Sequence, residues 1–236
     1  MKKVVILVGP SAVGKTTVGH AMLEANPRYE LVRSVTTREM RADSFGSEYI
    51  YISREEFENH IKTGGVLEHT EYAGHLYGTP RWEIDRITSE GKVPLLILDL
   101  NGANSLYKAE GIAPCTVYLY DDLDVMEERL RARYISDNTS AEDQRRYDSR
   151  TKQNILDYSK MNEYESFIYS FVKNAETVEK CAESIFAVYA EFEKELYRYF
   201  RQEKAELALK IKNAKKFDDE LKNSLKEALG EFIKRI

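Results

Sequence analysis

Gly9-Pro10-Ser11-Ala12-Val13-Gly14-Lys15-Thr16 is the stretch on which the reading of this chain turns. It follows Val4-Val5-Ile6-Leu7-Val8, a continuous aliphatic run of the kind that forms a parallel strand buried on both faces. It precedes residues 16–25, which carry helical character up to Asn26-Pro27. The spacing G-x-x-x-x-G-K-T between a strand and a helix is that of a loop that cradles phosphates. Gly9 and Gly14 permit the tight turn that aims backbone N–H groups inward, and the positive end of the following helix adds to the attraction. The expected contacts to a nucleoside triphosphate are Gly9, Ser11, Ala12, Val13, Gly14, Lys15, Thr16 and Thr17. Lys15 would reach the β- and γ-phosphates, and the Thr16 hydroxyl would bind Mg²⁺.

Working outward, further buried strands read at residues 94–100, 115–120 and 167–172, separated by helical stretches. That alternation predicts an α/β fold with a doubly wound parallel sheet. Residues 31–80 have another texture: they alternate, as in Tyr49-Ile50-Tyr51-Ile52, and are rich in Gly, Thr and Tyr. They predict a small mixed β insertion with one wet face. Residues 121–150 are charged and helical, with six arginines. From about residue 176 the chain has no Pro, and apolar residues recur at 178, 182, 185, 189, 192, 196 and again from 207 to 232. This is a helical stripe, with a break near residues 213–218 and an interruption at Glu203.

The 236 residues fit one large α/β domain or a domain with an appendage. A net charge of −5 excludes a broadly basic nucleic-acid binder. Cys115 and Cys181 are too few for a disulfide framework, and Met1-Lys2-Lys3 opens no secretory signal, so a cytoplasmic setting is expected. No apolar run approaches the ~18 residues needed to span a bilayer, so no membrane partner is expected.

Two arginines three apart, Arg38 and Arg41, follow Ser34-Val35-Thr36-Thr37. Arginine binds phosphate bidentately. Tyr49, Glu68 and Tyr77-Gly78-Thr79 follow, then Asp99-Leu100-Asn101-Gly102-Ala103. Hydroxyls, arginines and a carboxylate suit a nucleoside monophosphate. Glu68 suits guanine in particular, because one carboxylate accepts from the adjacent N1–H and N2–H₂ donors that adenine lacks.

With these motifs the sequence resembles guanylate kinase from Val4 to about residue 190. The resemblance implies a P-loop core (1–30, 89–120 and 151–190), a GMP-binding insertion (31–88) and an α-helical lid (121–150). A helical C-terminal extension (191–236) lies beyond them. It implies that Arg38, Arg41, Tyr49 and Tyr77 hold the GMP phosphate, that Ser34, Glu68, Thr79 and Asp99 contact guanine, and that Asn174 approaches adenine. It makes Lys15, Arg133 and Arg145 the catalytic cations, with Arg146 the alternative to Arg145. ATP and Mg²⁺ are the implied donor and metal, and GMP, with dGMP, the acceptor.

The pattern departs from the family in two places. Tyr134 stands where the family has Gly, and Ile97 stands where it has the first of two acids in Asp-x-Asp. Ile97 leaves open a related kinase of another phosphorylated nucleotide or sugar, against which Glu68 and Thr79 argue. Lys15 argues against a non-catalytic binding module. The C-terminal stripe predicts a helix folded back on its own core or, as the alternative, a homodimer through that helix.

Overall fold

The computed structural model describes residues 2–40, 49–72, 74–159, 161–174, 176–214, 218–233 and 235. The chain begins with β1 (Lys2–Val8), α1 (Lys15–Ala25), β2 (Tyr29–Leu31), β3 (Ser34–Thr36), β4 (Tyr49–Tyr51) and α2 (Arg54–Lys62). It continues with β5 (Val66–Tyr72), β6 (His75–Pro80), α3 (Arg81–Ser89), β7 (Val93–Ile97), α4 (Leu100–Tyr107) and β8 (Ile112–Tyr120). α5 (Leu123–Tyr134), α6 (Ala141–Ser159), a 3₁₀ segment (Met161–Phe167) and β9 (Ser170–Lys173) follow. Last come α7 (Val178–Gln202), α8 (Ala205–Asn213) and α9 (Asp219–Ile233).

Five strands form one parallel sheet in the order β2-β7-β1-β8-β9. β1 lies at its centre, and its aliphatic run is buried on both faces as its sequence requires. Val5 and Leu7 join Val18 and Met22 of α1 and the apolar face of α7. Val4, Ile6 and Val8 join Ile84 and Ile87 of α3 and Ala103 and Leu106 of α4. A second sheet, β4-β3-β6-β5, is mixed: β3 pairs parallel with β4 and antiparallel with β6. Phe57 of α2, fully buried, closes its inner face with Val35, Val66 and Leu76.

Several boundaries differ from the sequence expectation. The second core strand ends at Ile97, not at residue 100, because the Asp99 side chain accepts from Gly102 N and caps α4. Phe167 closes the 3₁₀ segment, and the strand starts at Ser170. The third strand starts earlier, at Ile112, and contains Pro114. Pro114 pairs with Val4 on one side, and β9 joins the other side only from Val117, so the missing N–H costs no ladder bond.

The α7 and α9 parts of the C-terminal stripe are buried within the chain. Ile185, Tyr189, Phe192, Leu196 and Tyr199 of α7 share a core with Leu225, Ala228, Leu229 and Phe232 of α9. The Phe192 and Phe232 rings lie 5.9 Å apart, and Tyr199 donates to Glu231 at 3.0 Å. The segment is broken at Glu203, which caps the end of α7, and again between Asn213 and Asp219. In α8, Leu207 and Ile211 are half-buried against the same core and Leu209 is exposed. Among the described residues no helix is long and apolar enough to cross a membrane.

Candidate active site

The phosphate loop lies at the end of β1. Gly9 has φ +141°, and a methyl group there would fall 2.2 Å from the Leu119 carbonyl oxygen, so only glycine fits. Gly14, at φ +99°, caps α1 with its carbonyl receiving Val18 N–H. Ala12 takes the left-handed conformation at φ 62°, a strained choice for a residue with a Cβ. The Val13 side chain is core, which leaves its backbone to face the loop. Thr16 and Thr17 are exposed on the first turn.

Three side chains from distant parts of the chain fix this loop. Asn154 of α6, 3% exposed, accepts from Ser11 N–H at 2.8 Å and donates to Ser11 C=O at 2.9 Å. Asn174 donates to Val13 C=O at 2.8 Å, which commits one of its amide N–H groups to the loop carbonyl. Arg129 reaches Ala12 C=O at 3.5 Å and pairs with buried Asp121 at 3.0 Å. None of these was legible as a motif, because each partner lies more than a hundred residues away. The Asn174 position was suggested by the resemblance alone.

Lys15 Nζ donates to the carbonyls of Gly9 and Pro10 at 2.7 and 2.8 Å. Its pKa is lowered to about 8, first by burial and then by the charge of Arg150, with Arg133 adding to it and Asp157 and Asp99 opposing it. Arg133 stands exposed on α5. On α6, Arg146 pairs with Glu142 and Asp143 of its own helix. Arg145 is exposed and lies about 140° around that helix from Arg150, at ~100° per residue. The charges of Arg150 and Arg133 both act on Lys15. Arg150 Nη1 donates to Ser11 Oγ at 3.2 Å.

The acceptor residues converge on the other side of the cleft. Thr79 donates to Glu68 Oε1 at 2.6 Å, and the two face each other across β5 and β6. A methyl group on Gly102 would lie 3.3 Å from both Asp99 Oδ1 and Glu68 Oε2, so the two carboxylates meet at the start of α4. Burial, with the charge of Asp99 behind it, raises the Glu68 pKa, and the Thr79 hydrogen bond opposes the rise. Ser34, Tyr49 and Thr79 line a cavity of about 170 Å³ with Thr16, His20 and Ile97. His20 escaped the sequence reading; its signal was its position one helical turn after Thr16.

Arg38 lies 5.4 Å over the Tyr49 ring and donates to Tyr51 at 3.4 Å. Its Nε is buried without a hydrogen-bond partner among the described residues. Tyr49 and Tyr77 meet edge to face at 6.0 Å. Arg41 lies outside the described residues. A larger cavity of about 1140 Å³ opens from Gly9 and Asp99 toward Gln153 and Asp157 of α6.

The arrangement joins a triphosphate loop to a carboxylate-bearing pocket with an arginine and tyrosines at its edge. Comparison with known proteins places the chain in a family. The family model described as guanylate kinase matches residues 1–188. The guanylate kinase of Synechocystis sp. is 38% identical over 132 residues, covering 56% of this chain and 69% of that protein. That of Salinibacter ruber is 36% identical over 145 residues, covering 60% and 77%. The solved guanylate kinase of Anaplasma phagocytophilum shares the fold, with a TM-score of 0.54 at 23% identity over 80% of this chain and 86% of its own. A family match that runs from β1 through the loop, the acceptor sheet and α6 into α7 accounts for every element that carries the site, and the chain belongs to the guanylate kinase family.

Proposed function

We propose that the loop at Gly9–Thr17 takes ATP, that the pocket of Ser34, Glu68, Thr79 and Asp99 takes GMP, and that Lys15 and Arg133 serve the phosphoryl transfer between them. As a guanylate kinase the enzyme phosphorylates GMP from ATP, giving GDP and ADP. The observation that carries the assignment of residues is the Glu68–Thr79–Asp99 cluster. Thr79 fixes one Glu68 oxygen, and the carboxylate then presents a rigid double acceptor to N1–H and N2–H₂ of guanine. Adenine offers no such pair, and a site left with unpaired buried acceptors rejects it by a factor of about 10⁴ at best.

The acceptor oxygen is already an anion, so no general base is needed. Catalysis then rests on alignment and on positive charge at the transferring group. Arg38 and Tyr49, Tyr77 and Arg41 hold the acceptor phosphate. Lys15 leaves the Gly9 and Pro10 carbonyls for the donor phosphates. Closure of α5 over the loop brings Arg133 to the charge, where Arg145 of α6 joins it, and excludes water.

Mg²⁺, which guanylate kinases use with ATP, fits the oxygen chemistry here. Thr16 offers an exposed hydroxyl on the first turn of α1. Ile97 offers none: its δ-methyl points at Gly19, where an added methyl would lie 3.0 Å away. Thr16 would therefore hold the ion together with phosphate oxygens and water, and the ion would neutralise charge on the phosphates. Substrates of this kind and two free buried thiols, Cys115 and Cys181, support a cytoplasmic setting.

The test is ADP release from ATP and Mg²⁺ with GMP, dGMP, AMP, CMP and UMP, with Lys15→Met as the blank. Turnover confined to GMP and dGMP is expected. Equal turnover with AMP would sink the role given to Glu68.

A further inference from the structure

We propose that Arg150 is a further phosphate-binding residue of the donor site, laid over the Tyr134 ring and contacting the phosphates of ATP beside Lys15. The proposal rests on the reading of the loop as the ATP site.

The first observation is place. Arg150 Nη1 is 3.2 Å from Ser11 Oγ, on the loop itself. One helical turn further on, buried Asn154 grips both backbone groups of Ser11 at 2.8 and 2.9 Å. This face of α6 is therefore already fixed against the loop, and Arg150 needs no lid movement to arrive there. The second observation is charge. Arg129, Arg131 and Arg146 each pair with a carboxylate. Among the described residues Arg150 has no such partner, and its charge opposes that of Lys15 more than Arg133 does. Lys15 and Arg150 lie together on a loop of inward N–H groups, neither in an ion pair among the described residues and with only the more distant charges of Asp157 and Asp99 to offset them, which calls for an anion of high charge. The third observation is the platform. The Arg150 guanidinium lies 5.7 Å over the Tyr134 ring, at the position where the family pattern has Gly. A glycine would leave the arginine without that support. Of the five N–H donors of the guanidinium, the Ser11 contact uses one, which leaves a fork for phosphate oxygens.

The rival explanation is that Arg150 only shapes Ser11. The two separate by phosphate number. ATP, ADP and AMP are titrated calorimetrically against the wild type, Arg150→Ala, Arg150→Lys and Tyr134→Gly, and KM and kcat are measured for both substrates. We expect Arg150→Ala to weaken ATP at least tenfold, ADP less and AMP not at all, with KM for GMP unchanged. Arg150→Lys should recover part of the loss. Tyr134→Gly should weaken ATP by a smaller factor, and add nothing on top of Arg150→Ala. Unchanged ATP affinity in Arg150→Ala would overturn the proposal, and so would an equal loss for ATP and AMP. A wild type that binds ATP and fails to phosphorylate GMP would count against the assigned reaction alone, because the ATP-to-AMP affinity ratio is read without turnover.

Discussion

At the residue scale, the proposed roles of Lys15 and Glu68 each require one protonation state: the lysine charged for ATP, the carboxyl ionised for GMP. Lys15 in the free enzyme has a pKa of about 8. Raising the pH past that value removes the ammonium proposed to meet the ATP phosphates. The expected outcome is that kcat/KM for ATP falls on the alkaline side of about 8, while kcat, read in a complex where the triphosphate holds the lysine charged, stays level further up. A pH–rate series resolves the two. Glu68 gives the matching acid limb. Because burial raises its pKa, kcat/KM for GMP is expected to begin falling on acidification at a higher pH than an unperturbed carboxyl would give, since a protonated Glu68 no longer accepts from both guanine donors. Glu68→Gln tests this directly: it replaces one acceptor by a donor and should cost about 100-fold in kcat/KM for GMP, and less for AMP. Asn154→Ala strips two hydrogen bonds from Ser11 and should cost about 2 kcal/mol in stability, measured by urea unfolding.

At the element scale, what the sequence showed depended on how far each element's cause lay along the chain. The glycine loop, β1 and α1 were legible because their reasons are local: two glycines that need positive φ and an aliphatic run with no polar face. β2 was not legible, because Tyr29-Glu30-Leu31 is too short for any period and is a strand only by pairing with β7. α2 was hidden inside an alternating stretch, although Ser53, whose hydroxyl accepts from Glu56 N–H, is a helix cap readable from sequence. In the site, Glu68, Thr79 and Arg133 followed from a resemblance. Arg150 did not, since only the approach of α6 to Ser11 gives it a role. The C-terminal hairpin adds its own test. Phe232→Ala removes the ring that meets Phe192 and Tyr199 and should cost about 3 kcal/mol, lowering Tm while KM for both substrates is unchanged.

At the scale of the whole molecule, the core sheet and the acceptor sheet are joined through Glu83 of α3. Burial alone would raise its pKa, yet the hydrogen bonds of Arg33 and Arg86 hold it at about 2. Arg33 lies between β2 and β3, and Arg86 also pairs with Glu30 at 2.5 Å. The folded value is below the ~4.3 of an unfolded chain, so Glu83 stabilises the fold above that pH and the contribution is lost as pH falls toward 2. Glu83→Gln should lower stability at neutral pH and flatten the acid limb of a pH–Tm profile. Asp99 ties another pair of properties together. It faces the acceptor pocket beside Glu68, and the same side chain accepts from Gly102 N at 2.7 Å to start α4. A substitution made there to alter base preference also frays a helix of the core unless the new side chain caps it. An evolving lineage, or a designer retargeting the pocket, has one gentle first move, Asp99→Asn, which keeps the cap and alters the charge. A side chain that cannot cap the helix has to be rescued elsewhere before selection can act on the new substrate.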